Sequence, residues 1–395
     1  MMADPKNTPV PFFQPDTPAA LADALRQASA QKQSIVIRGA GTKLDWGRPA
    51  GRIDTFLDTR GLNKILAHAH GDLTATIEAG ASLADVNAAL ARHGQWLPLD
   101  PAFADRATIG GLLATNDSGP LRHRYGTPRD LVIGVQLATA DGTLAKAGGQ
   151  VVKNVAGYDL ARLVTGSFGS LAAIVSATFK LSPLPKASKT LVVTIDHDTR
   201  VGDVVRQMMA SQLEPLAFEL RSAEASRYEI AIRFASLPAV VDAQIAQARA
   251  LLDPLAASIE LVEGEAEQTL WRDHNARIWS GDAHHAVVRA SWLPAAIVTA
   301  LAELQAIGAP IDLVGRAVVG AGLLRLGGDA DAQARAITRL RASSTFGNIV
   351  VLRGSGALKA TVDVWGSSGD REPLLTSIKR ALDPHNTLNA GRGPL

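Results

Sequence analysis

The sequence predicts an α+β fold in two parts, on three observations. In the first half strand-like and helix-like stretches alternate, with glycine-rich loops around Gly41 and Gly110. A proline-containing stretch, SPLPKASK (182–189), then breaks that rhythm. Beyond it the order β-α-β-β-α-β can be read twice, which is the pattern of two ferredoxin-like halves.

The elements follow in order. Asp16-Thr17-Pro18 is a cap and proline start for an amphipathic helix to about Lys32. The β-branched run in SIVIRGAGTK (34–43) is a strand that feeds a glycine loop. TFLDT (55–59) and DLTATIEAG (72–80) are further strands. Ser82 caps a helix that stops at Gly94. DLVIGVQLATADGT (130–143) is a strand into an Asp-Gly turn, and SLAAIVSATFKLSPLP (170–185) is a strand closed by prolines. The first later half runs through TLVVTI (190–195), a helix near 202–211, LAFEL (216–220), YEIAIRF (228–234), a helix near 239–252 and SIELVE (258–263). The second runs from HAVVRAS (285–291) to NIVVLRG (348–354). The tail is a helix followed by a Gly/Pro-rich end. Its Asn389-Ala390-Gly391-Arg392 reads either as a docked turn or as a frayed terminus.

Composition limits the function. The chain has 395 residues, is 47% hydrophobic and 20% charged, and carries a net charge of +2. That balance points to a globular protein and not to a partner such as nucleic acid or an anionic membrane. There is no cysteine, so this chain offers no disulfide, thiolate zinc site or iron–sulfur ligand. The first residues lack a secretory pattern, and no apolar run is long enough to span a bilayer. The expectation is a cytoplasmic protein that meets the inner membrane only through a partner.

Two loops carry the chemistry. In Arg38-Gly39-Ala40-Gly41-Thr42-Lys43, glycines free the backbone to turn N–H groups toward an anion. The spacing fits neither G-x-G-x-x-G nor G-x-x-x-x-G-K-[ST]. Alone, the loop is a plain turn or half of another site. ATIGGLLATNDSG (107–119) has Thr108 as a cap, Gly110-Gly111 at a helix start, and Asn116, Ser118 and Gly119 at its exit. A phosphate could approach the free N–H groups of that helix start, and tight packing is the alternative. Together the loops suit a pyrophosphate gripped from both sides. A third stretch, VVKNVAGYDLARLVTGSFGSLAAIV (151–175), adds Lys153, Asn154, Gly166 and Gly169.

The ordered set RGAGT, ATIGGLLATNDSG, RYGTPRDLVIG, VKNVAGYDLARLVTGSFGSLAAIV and LDPHNTLNAGR resembles the PCMH-type (vanillyl-alcohol oxidase-like) FAD-binding family. Within it the chain resembles the FAD-binding subunits of bacterial glycolate oxidases. The resemblance is strong over about 11–187 and returns at 380–392. It implies a PCMH-type FAD-binding domain at 1–187, an α+β cap domain at 188–355, and a C-terminal segment, 356–395, that returns to the FAD domain. It implies that Arg38, Gly39, Ala40, Gly41 and Thr42 form one pyrophosphate loop. Thr108, Gly110, Gly111, Asn116, Ser118 and Gly119 would form the other. Tyr125 and Gly126 would line the flavin approach, Gly169 and Ile174 would contact FAD through backbone atoms, and Asn389 would return near the ring. Covalent relatives use a histidine in the first loop; none occurs between Arg38 and Asp58, so the FAD is expected to be non-covalent. Lys43 is either part of the clamp or a solvated surface charge.

The same resemblance implies two partners, an FAD-containing catalytic subunit (D) and an iron–sulfur subunit (F), in an assembly that oxidises glycolate to glyoxylate. The chain would be inactive alone, its FAD serving electron transfer or assembly. A self-sufficient flavin dehydrogenase and a non-catalytic scaffold are the alternatives. No catalytic residue is assigned. The GDGN-x-H signature of related dehydrogenases is absent, LGGDADAQ (326–333) being only a fragment of it. No metal site is expected: His284-His285 would point to opposite faces of a strand, and His68 and His70 share a strand-like parity, though Gly71-Asp72 suggests a surface turn. Arg122, His123 and Arg124 read as a basic turn or as neighbours of the flavin. Trp271, Trp279, Trp292 and Trp365 read as packing residues.

Overall fold

A computed structural model of the chain describes residues 10–149, 158–222, 227–280 and 284–394. Lys153 and Asn154 lie outside the described residues. Strands β1 (Phe12–Phe13), β2 (Ile35–Arg38) and β3 (Thr55–Asp58) form a small parallel sheet in the order β1-β3-β2. Strands β4 (Ile65–Ala69), β5 (Thr74–Glu78), β7 (Val132–Ala138), β8 (Leu144–Gly148) and β9 (Ala173–Lys180) form an antiparallel sheet, β4-β5-β9-β7-β8. Strand β6 (Gln95–Trp96), between β5 and β7 in sequence, pairs with β10 (Ser182–Pro183), which follows β9.

The predicted caps form. Thr17 accepts from the Ala20 N–H and Ser82 from the Asp85 N–H, each closing one of the free donors of a helix start. Helix Pro18–Ala30 buries Leu21 and Leu25 against β2, β3 and the start of β9. Strands β4 and β8 were not anticipated. Both are sheet edges, and their short, half-polar patterns give little signal of burial.

After β10 the chain enters an eight-stranded antiparallel sheet. Its strands are β11 (Ala187–Ile195), β12 (Ala217–Ser222), β13 (Tyr228–Ser236), β14 (Ser258–Glu263), β15 (Ala286–Trp292), β16 (Ile311–Arg316), β17 (Ala321–Leu326) and β18 (Phe346–Arg353). The order is β14-β11-β13-β12-β16-β17-β15-β18. The two expected βαββαβ halves are therefore real, and they fuse through β12 and β16, where Glu219 stands opposite Arg316. Helices Asp198–Ala210, Pro238–Leu252, Ile297–Gln305 and Ala330–Ala342 pack on one face around Val204, Phe218, Ile232, Val288 and Ile337. The other face carries alternate residues, and it meets the first part of the chain. There Trp46 stacks on Trp279 with centroids 4.8 Å apart, among Phe168, Val287 and Val350. Trp271, Trp279 and Trp292 are buried, as packing residues should be.

The C-terminus docks. Leu388 bridges Ile35, and Asp383 accepts from the N–H groups of Thr387 (2.8 Å) and Leu388 (2.7 Å). Lys379 donates to Asp383 (2.6 Å) and to the Ser170 carbonyl (2.7 Å). Burial is the first influence on the Lys379 ammonium and lowers it from its ordinary value against the pull of Asp383.

Candidate functional site

A cleft with about 720 Å³ of empty space opens where the first loop, helix Ile109–Thr115 and the 168–174 segment converge. Arg38, Gly39, Ala40, Gly41, Thr42, Thr108, Gly110, Gly111, Gly169, Ile174 and Asn389 all line it. Their sequence separation is closed by specific contacts. Gly39 abuts Thr108, so that a Cβ at 39 would sit 2.0 Å from Thr108 Oγ1. An isolated bridge between Ser82 and Thr108 seats the second loop beside the 79–82 turn.

Asn389 joins the third wall to the first. Its Oδ1 accepts from the Ile37 N–H (2.8 Å), its Nδ2 donates to the Phe168 carbonyl (2.5 Å), and its own N–H donates to Ile35 O (2.8 Å). Phe168 and Asn389 both hold left-handed backbones, as does Gly169, whose Cβ would lie 2.6 Å from Asn389 Nδ2. Such conformations persist only where their surroundings over-determine them.

The donors differ from the expectation for the second loop. The Ile109 and Gly110 N–H groups already donate to the carbonyls of Ala81 (3.0 Å) and Ala79 (2.7 Å). Only the Gly111 N–H of that helix start is left open toward the cleft among the described residues. The first loop retains more: the N–H groups of Ala40, Gly41, Thr42 and Lys43 meet no acceptor among the described residues. The nearby cations are engaged. Arg38 pairs with Asp58 (3.2 Å) and stacks near Phe12 and Phe56. Lys43, only 8% exposed, pairs with Asp117 (3.3 Å) and donates to Ala102 O (3.2 Å), which excludes the solvated surface charge. Arg392 donates to the Leu44 carbonyl. An anion here would be held by backbone amides and by hydroxyls of Thr42 and Thr108, beside an apolar wall of Ile37, Leu44, Ala114, Phe168 and Ile174.

Five expected residues do not line this cleft. Asn116 closes helix Ile109–Thr115 in a left-handed conformation, and its Oδ1 accepts from the Arg129 N–H. Tyr125 packs edge-on against Trp96. Gly126 lies against Asp130, which caps the next helical turn through Thr127. Ser118 and Gly119 instead line a second, more enclosed pocket of about 320 Å³ of empty space.

That second pocket lies between the 100–119 segment and the open face of the large sheet, and sequence reading missed it. Asp100, Asp117, His274, Trp279 and Arg316 line it. Helix Gly264–Arg277 places His274 Nε2 3.1 Å from Glu219 Oε2, with both side chains buried. Arg316 donates to the Ser118 carbonyl (2.9 Å) and stands 3.5 Å from Glu219 Oε1. Among the described residues His274 Nδ1 is buried without a hydrogen-bond partner, as are Glu219 Oε1 and Arg316 Nε apart from their mutual ion pair, and buried polar groups ordinarily find one. Arg289, on β15, makes no ion pair or hydrogen bond among the described residues. Burial foremost lowers its guanidinium from the ordinary value, Asp117 raises it and Arg316 lowers it. Burial also lowers Arg122, with Arg316 and Arg289 acting in the same direction. Of these guanidinium groups only Arg316 lines the pocket, together with the carboxyl groups of Asp100 and Asp117.

Burial pushes the Asp100 carboxyl up to about 7, against the Leu121 N–H and the Arg316 charge. The ordinary carboxyl titrates near 4, so the folded chain holds an extra proton between about pH 4 and pH 7. That contribution is complete below pH 4 and is lost as pH rises through 7, at about 1.4 kcal/mol per pH unit. Asp100→Asn cannot ionise and retains an acceptor for Leu121. Its Tm relative to the parent should therefore rise from pH 5 to pH 8; an equal difference at both would refute the assignment.

Comparison with known proteins places this cleft in a flavin-type fold. Residues 9–148 match the FAD binding domain family. The chain is 35% identical over 202 residues to glycolate oxidase subunit GlcE of Escherichia coli, covering 51% of this chain and 56% of that one. It is 35% identical to glycolate oxidase subunit GlcD of Bacillus subtilis over 48% of this chain and 41% of that one. The matches thus span about half the length of these two relatives. A D-2-hydroxyglutarate dehydrogenase of Xanthomonas citri is 30% identical over 93% of this chain and 85% of its own. Among solved structures, an alkyldihydroxyacetonephosphate synthase shares the fold, with a TM-score of 0.70 and 17% identity over 96% of this chain and 76% of that one. The chain belongs to the FAD-dependent oxidoreductase family that includes glycolate oxidase subunits and D-2-hydroxy-acid dehydrogenases, and FAD is its cofactor. No described helix is long and apolar enough to cross a membrane.

Proposed function

We propose that this chain is the FAD-binding subunit of a multi-subunit glycolate oxidase, the E subunit beside a catalytic D and an iron–sulfur F. The observation that carries the flavin role is the meeting of Gly39 with Thr108, which sets open amides along one cleft. In this reading the amides of residues 40–43 and 111 hold the pyrophosphate. Ile37, Phe168 and Ile174 shield an aromatic ring, and Asn389 fixes both walls. Bound FAD supplies a two-electron acceptor. The cleft is lined by no histidine, tyrosine or cysteine among the described residues, which supports non-covalent binding. Division into an FAD domain to 187, a cap to 355 and a returning segment follows the same reading.

A second reading is favoured by the enclosed pocket. Arg316, which lines it, offers a guanidinium to the carboxylate of a hydroxy acid, with His274 positioned by Glu219 to handle a proton. The chain would then oxidise substrate alone. Anaerobic addition of glycolate, D-lactate or D-2-hydroxyglutarate to the FAD-loaded chain separates the two. The subunit reading expects no bleaching of the flavin until D and F are present. Bleaching of the isolated chain, lost in Arg316→Met, would overturn it in favour of the second.

A further inference from the structure

Three imidazoles meet away from both pockets. His68 lies on β4, the edge strand of the five-stranded sheet. The chain then turns through His70–Asp72, and His93 sits just after helix Leu83–Ala91. Ring centroids are 4.1 Å apart for His68 and His70, 3.8 Å for His70 and His93, and 5.2 Å for His68 and His93. One ring nitrogen from each lies within 4.8 Å of the other two. The sequence shows His68 and His70 with strand-like parity just before a turn; the fold adds His93.

The surrounding bonds select the ligand atom of His68. Gln95 Nε2 donates to the His70 carbonyl (2.9 Å), so its Oε1 must face His68 Nε2 (2.8 Å) as acceptor. That nitrogen therefore carries the proton, and His68 Nδ1 keeps its lone pair. A carboxamide that fixes a ring's tautomer is the arrangement that supports metal-ligating histidines. Tetrahedral bonds of 2.0–2.1 Å would set the nitrogens about 3.3 Å apart. His70 and His93 are exposed, so side-chain rotation can close the remaining gap. Three neutral imidazoles select borderline divalent metals such as Zn²⁺, Co²⁺ or Ni²⁺ over Mg²⁺ and Ca²⁺.

We propose that His68, His70 and His93 bind one divalent transition-metal ion, with solvent completing its shell. The ion would pin the edge strand β4 to the turn after helix Leu83–Ala91. It would do so independently of FAD, since none of the three lines the cleft. The test is titration of the full chain, without a histidine tag and freed of metal, with Co²⁺ followed by Zn²⁺ competition. The expected result is saturable one-to-one binding with visible d–d bands that Zn²⁺ removes. His93→Ala should weaken binding at least about 10-fold and Gln95→Ala by about 10-fold, whereas His197→Ala should leave it unchanged. Absence of saturable binding, or equal binding by the parent and His93→Ala, would overturn the proposal. Circular dichroism of each variant guards against misfolding as the cause.

Discussion

Gly39→Ala should weaken FAD binding by roughly 10- to 100-fold while leaving the far-ultraviolet spectrum unchanged. The new methyl would lie 2.0 Å from Thr108 Oγ1 and 2.9 Å from Thr108 Cβ. Neither loop can yield freely. Thr108 is buried and bridged to Ser82, and Gly39 directly follows β2. Overpacking of this kind costs about 1–3 kcal/mol, and each 1.4 kcal/mol is tenfold in affinity. The cost falls on the spacing of the two loops and thus on the ligand between them. Gly71→Ala is the control, because nothing lies within 4 Å of its added Cβ. Fluorescence titration of the apo-protein with FAD measures both. An unchanged affinity in Gly39→Ala would mean that the contact does not shape the binding site.

Asn389→Ala should be the more destabilising change. It strands the Ile37 N–H and the Phe168 carbonyl, now held at 2.8 and 2.5 Å, in an interior where Asn389 is 3% exposed. Each stranded group costs about 1–3 kcal/mol. Alanine also tolerates the left-handed backbone at 389 poorly, at about 1–2 kcal/mol. A loss of roughly 3–8 kcal/mol is expected, read as a lower Tm of the apo-chain and faster amide exchange at Ile37. Asn389→Asp discriminates further: it can accept from Ile37 but cannot donate to Phe168. It should fall well short of the parent, and parental stability in either variant would contradict the tie between walls.

What could be read from the sequence was mostly what local chemistry determines. Thr17-Pro18 and Ser82 announce their helices because a side chain three residues away satisfies a free N–H. The two βαββαβ halves are legible because their strands and helices alternate and bury strong apolar faces. Helix Gly264–Arg277 escaped notice because the face it buries includes Glu267 and His274, so no apolar period marks it. The 107–119 helix start shows the limit more finely. Its glycines are visible in the sequence, but the capture of two amides by Ala79 and Ala81 depends on a turn some thirty residues earlier. The enclosed pocket was not legible at all. Asp100, Glu219, His274 and Arg316 come from separate elements, and no local spacing relates them.

The central claim is that the cleft behind Gly39 and Thr108 holds FAD without a covalent bond. The most direct measurement is the visible spectrum of the purified chain, followed by acid precipitation. Flavin bands near one FAD per chain, with the yellow colour passing entirely into the supernatant, is the predicted result. A chain that takes up no flavin even from excess FAD, or flavin that stays with the precipitated protein, would contradict it.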